Sequence, residues 1–144
     1  MTTIKLHPRR AARQCVLEAL FAYQFSKNDK FEIIDGLVNK NSDLKDNYVF
    51  IKTLFNSVFT KKEWTENVIK SHLENWEIDR VAQIDKILLK MGICEIYFIS
   101  DIPPKVTISE MVEIAKIYST DESPIFINGI LDAVFKDYLK ENKE

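Results

Sequence analysis

Glycine and proline are scarce in this sequence, three and four residues respectively among 144. So few turn-forming positions exclude a Gly-rich nucleotide-binding fold and a turn-dense all-β sandwich. Cysteine is rarer still. Cys15 and Cys94 lie far apart with no C-x-x-C spacing, which argues against a disulfide framework and predicts buried thiols in a cytosolic protein. No apolar stretch is long enough to span a membrane. The opening segment MTTIKLHPRRAARQ lacks the apolar core of a secretory signal. What the chain does have is 46% hydrophobic and 29% charged residues, the balance of one globular domain able to bury a real core.

The net charge of −2 argues weakly against nucleic acid, yet its distribution points the other way. Lys5, Arg9, Arg10 and Arg13 precede the first acid, Glu18, whereas residues 101–125 carry two lysines against five acids. A polyanion responds to the local field, so this asymmetry outweighs the total.

Apolar spacing predicts helices throughout. Over residues 8–26, Ala12, Cys15, Val16, Ala19, Leu20 and Tyr23 form one helical stripe, and Pro8 suits a first turn. A shorter helix is predicted over 30–40, a third over 43–60 with Ser42 or Asp43 as N-cap, and a fourth over 62–75 that could be continuous with the third. The fifth is predicted to start near an Asp79 cap and to be apolar nearly all round, hence central. Its window 93–99 could also form a strand, but length favours the helix. Pro103-Pro104 stops it. Thr107 and Glu110 read as a capping box opening the sixth helix. The seventh is predicted to start at Thr120, with Asp121 and Glu122 at the positive end of its dipole, and residues 140–144 are expected to fray. The fold class is therefore all-α, about seven helices in one domain, divided into two helical subdomains near 1–75 and 76–144.

Chemistry is harder to find. His7 and His72 are the only histidines, and His72 sits among Val68, Ile69, Leu73 and Trp76, the setting of a satisfied helix histidine. No zinc-ligand spacing, P-loop, GxGxxG or nucleophile elbow occurs, so no catalytic residue, metal or cofactor is predicted. The basic start is the feature that asks for a partner. Arg9 and Arg13 share a helix face at i, i+4, a guanidinium cluster suited to phosphates and base edges. A solubilising helix start reads equally well.

Three stretches together resemble the NusB family of bacterial transcription antitermination factors: residues 9–26 (RRAARQCVLEALFAYQFS), 79–95 (DRVAQIDKILLKMGICE) and 102–132 (IPPKVTISEMVEIAKIYSTDESPIFINGILD). Residues 27–75 match only in helical character. The resemblance implies two small packed helical bundles and a function in RNA binding: recognition of the boxA element of rRNA leader transcripts as a heterodimer with a small-subunit ribosomal protein, NusE. That complex would join NusA, NusG and RNA polymerase. The family's arginine-rich start falls on Arg9, Arg10 and Arg13, its stacking aromatic on Phe126, and its acidic position at the same helix start on Glu122. Phe126 could equally flank the core. An acidic partner contact falls on Asp85, with Lys86 beside it, on what could also be a plain solvated helix face. Ile125 stands where one member of the family carries a basic residue, and Pro104 where that member carries tyrosine. Homodimers within the family could cover the RNA surface. Other readings are a helical protein-interaction module without RNA binding, and the detached recognition domain of an rRNA methyltransferase. Against the latter, the chain ends at Glu144 with no room for a methyl-donor domain.

Overall fold

The computed structural model describes residues 8–26, 28–74 and 77–142. Lys5, His7, Trp76, Lys143 and Glu144 lie outside the described residues. Among those described, seven α-helices and two short 3-10 turns occur, with no strand. None of the helices is long and apolar enough to cross a membrane. The chain forms two compact units, Met1–Asn56 and Ser57–Glu144.

The first unit holds α1 (Pro8–Tyr23), α2 (Lys30–Lys40), a 3-10 turn (Ser42–Asn47) and the first part of α3 (Tyr48–Thr60). The α1 stripe is buried as its spacing predicts from Ala12 to Leu20, and Leu17 and Arg13 join it. It packs on α2 and on the 3-10 turn, where Ile34, Val38 and Leu44 complete the core. Asp29 caps α2, its Oδ1 accepting the Phe31 N–H at 2.8 Å. Tyr48 donates its hydroxyl to Asp35 Oδ1 at 2.6 Å, which ties α3 to α2. The third helix starts later than the sequence predicts, because residues 42–47 form the tighter turn first.

The second unit is built around α5 (Gln83–Phe98), with α4 (Lys62–Ser71), α6 (Pro104–Tyr118) and α7 (Ser123–Glu141) packed on it. Residues 87–89 and 91–96 of α5 are all buried, confirming the central position that its lack of a polar face predicts. The helix runs through 93–98, so the strand alternative is excluded. At Gly92 the α5 backbone packs directly against an α7 side chain: an added Cβ would lie 2.7 Å from Leu131 Cδ1, and Leu131 is itself buried. The third and fourth helices break at Lys61. Because α4 packs on α5, it belongs with the second unit, and the division falls at Asn56/Ser57 rather than near residue 75.

Three further helix starts differ from the sequence reading. Pro104 occupies the first turn of α6, where its missing N–H costs nothing. The helix therefore begins before Thr107, and the expected capping box lies inside it. Thr107 instead donates its hydroxyl to buried Glu95 Oε1 at 3.0 Å. Asp79 sits in a separate 3-10 turn (Ile78–Arg80), with α5 starting at Gln83. The last helix starts at Ser123 rather than Thr120, where the Ser123 hydroxyl is held by Asp85 of α5.

Candidate nucleic-acid interface

In the first unit, the arginines of α1 have different environments. Arg9 and Arg10 are half-buried, while Arg13 is only 1% exposed. The Arg9 guanidinium lies over the Phe50 ring at 4.5 Å from its centroid, and that of Arg13 at 5.4 Å. The ring face offsets part of the penalty of placing cations at a helix N-terminus. It also preorganises the Arg9 fork, whose edge donors suit phosphate oxygens. The shared face predicted for Arg9 and Arg13 is real, but Arg13 is a core side chain, because its helix face turns toward the Phe50 side of the unit. Of the three arginines, Arg9 and Arg10 keep part of their surface open to solvent, while Arg13 is buried.

In the second unit, the start of α7 carries Glu122 and Phe126. Glu122 is exposed at the N-cap position and makes no side-chain capping bond. Phe126 is half-buried, and its N–H donates to the Glu122 carbonyl at 3.2 Å. A cleft of about 210 Å³ opens beside them, bounded by Arg80, Val81, Asp85, Thr120, Ser123 and Phe126 among others. An aromatic wall and an exposed carboxylate on one small cleft can take a base by its face and by its amino edge.

Asp85 is where the structure departs most from the sequence reading. It is 6% exposed, not part of a solvated helix face. Ser119 Oγ donates to its Oδ1 at 2.6 Å and Ser123 Oγ to its Oδ2 at 2.8 Å. Ser119 and Ser123 are themselves 2.8 Å apart, and Thr120 lies 2.9 Å from Ser123. One carboxylate in the first turn of α5 therefore gathers three hydroxyls of the α6–α7 connection. This network holds Ser123 as the first residue of α7 and fixes the turn from which Glu122 and Phe126 project. Lys86, one residue on, is half-buried.

His72 ends α4, its Nε2 2.9 Å from Asp137 Oδ2, as expected of a satisfied histidine. Burial, with Glu18 nearby, pushes the Cys15 thiol up to about 11, and burial with Glu95 pushes Cys94 to about 12. Both stay protonated at neutral pH, which removes them as nucleophiles or ligands. Among the described residues no cluster could hold a metal ion.

The NusB family model matches residues 10–136. This chain belongs to the NusB family. It is 39% identical over 131 residues to the transcription antitermination protein NusB of Chloroherpeton thalassium, covering 90% of this chain and 62% of that relative, so it spans less than two thirds of the relative's length. Its structure is similar to that of T. maritima NusB, with a TM-score of 0.76 and 31% identity over 92% of this chain and 94% of that one. It also shares the fold of a chain in a crystal structure of the antitermination factors NusB and NusE in complex with dsRNA, with a TM-score of 0.80 and 24% identity over 93% of this chain and 100% of that one. For a NusB-family chain, sequence reasoning missed the Asp85 network. Its signal was present: Ser119, Thr120 and Ser123 place three hydroxyls in five residues between two helices, more than one helix cap requires.

Proposed function

We propose that this NusB-family chain is an RNA-binding transcription antitermination factor acting in the bacterial cytoplasm. It binds the single-stranded boxA element of rRNA leader transcripts together with the small-subunit ribosomal protein NusE, and through that complex joins RNA polymerase, NusA and NusG. The observation that carries this reading is the α7 start, where half-buried Phe126 and exposed Glu122 meet at one cleft on a member of this family. Phe126 stacks on a base, and Glu122 accepts a base amino group. Arg9 and Arg10 hold phosphates. Arg13 supports them from the core by sharing the Phe50 ring with Arg9. Lys86 is the charge offered to the ribosomal protein, with Asp85 shaping the turn beside it. A homodimer would compete with these contacts.

Titration of a labelled boxA RNA with and without NusE, repeated across salt concentrations, tests the reading. Affinity that falls with salt and rises with NusE supports it. The absence of any RNA signal at low salt would leave a protein-only interaction module.

A further inference from the structure

Phe126 bounds a second cleft as well. A cleft of about 530 Å³ lies between the end of α4 and α7, lined by His72, Leu73, Ile125, Phe126, Gly129 and Ile130 among others. We propose that this cleft is a second nucleobase subsite, which takes the base adjacent to the one read at Glu122, so that Phe126 stands between two consecutive bases of one RNA strand. The inference rests on the RNA-binding reading and adds an occupant to it.

Four observations point to a base as occupant. The two clefts share the Phe126 wall, and an aromatic ring offers two faces to successive bases of a single strand. The α7 side is apolar, with Ile125 81% exposed at its mouth, and a flat base would remove that surface from water. Gly129 leaves the floor open, because an added Cβ would meet no atom within 4 Å. The polar groups, Ser71, His72 and Glu74, come from the end of α4, where they can meet a base edge. Among the described residues, no lysine or arginine lines the cleft, so the phosphates remain outside it and binding there releases no counterions.

The last point separates this subsite from the arginines, and Gly129→Leu tests it. The open space at Gly129 and the better helix propensity of leucine mean the variant should melt no lower than the parent while filling the cleft. Binding of a short fluorescein-labelled single-stranded boxA RNA should weaken by at least about fivefold, the lower end of what one stacked base contributes, with an unchanged slope of log K against log salt. An abasic scan of the same RNA should show two adjacent positions that cost affinity in the parent and only one in Gly129→Leu. Parent-like affinity in a folded Gly129→Leu variant, or a single sensitive position in the parent, overturns the second subsite while Phe126-dependent binding keeps the RNA reading intact. If the parent binds no RNA, the RNA reading falls and the subsite falls with it.

Discussion

Replacing Asp85 by alanine removes the carboxylate that ties the α6–α7 connection to α5. Two hydroxyls donate to its carboxylate at 2.6 and 2.8 Å, and hydrogen bonds to a charged acceptor contribute about 1.5–3 kcal/mol each. The freed serines recover part of that loss, since Ser119 and Ser123 already lie 2.8 Å apart and Thr120 is within reach. The expected net cost is about 2–4 kcal/mol, a large share of a typical stability of about 5–15 kcal/mol. For a chain of this size it corresponds to a drop in Tm of roughly 6–15 °C. Asp85→Asn should cost less, because the amide keeps one acceptor and its NH2 can donate to a rotated hydroxyl.

Urea denaturation of Asp85→Ala, Ser119→Ala/Ser123→Ala and the triple variant closes a double-mutant cycle, with an expected coupling of about 1–3 kcal/mol. Additive effects, or an Asp85→Ala variant within about 0.5 kcal/mol of the parent, would refute the clamp and return Asp85 to the role of a surface charge. Reversal to lysine is then a test of folding before it is a test of NusE binding, because it places a cation where two hydroxyls point at a carboxylate.

Arg9→Ala with Arg10→Ala should flatten the salt dependence of RNA binding by roughly 1.4 units of slope, about 0.7 for each lost contact to a single strand. Phe126→Ala should weaken binding by about 1–3 kcal/mol with little change in slope; an early-melting variant that binds normally once folded would assign the ring to packing instead. Gly92→Val should destabilise the fold by about 1–3 kcal/mol, because buried Leu131 lies 2.7 Å from the new Cβ; an unchanged denaturation midpoint would show that α7 can move aside. Neither cysteine should be alkylated at pH 7 without denaturant. Both thiols titrate above their ordinary 9.0 in the folded chain, so the native state holds more protons than the unfolded one above that pH. The associated stability is complete below pH 9 and is lost as pH rises toward 11–12, which a pH series of denaturation midpoints would detect.

The helices were legible in the sequence because their burial follows a single period. Ala12 to Leu20 and the all-round apolar run of α5 announce their positions without help from the rest of the fold. Helix starts were less legible, since hydroxyls and carboxylates that resemble local caps are used over longer distances. Thr107 bonds Glu95 on another helix, and Ser123 bonds Asp85. A sequence window sees a possible cap three residues away but not a partner on the next helix. Arg13 is a similar case. Its spacing to Arg9 was readable, but its burial depends on Phe50, thirty-seven positions later, so an arginine that looked like surface charge proved to be part of a core.

These long-range polar ties explain how an almost wholly apolar helix can hold its neighbours in one register. Apolar packing alone tolerates sliding, since one leucine substitutes well for another in a greasy groove. The buried carboxylates of α5, Asp85 and Glu95, do not tolerate it. They lie ten residues apart, about 15 Å along the helix, and each is met by hydroxyls from α6 or the α6–α7 connection. A shift of one turn would leave a buried charge without its donors, at a cost of several kcal/mol. The register of α6 and the start of α7 are thereby set from two points on the same strut. Phe126 and Glu122 follow directly after the Asp85 network, so they are presented on a turn with little freedom left to lose. A single strand must give up its own conformational freedom to bind, and a platform already ordered leaves more of the stacking energy as affinity.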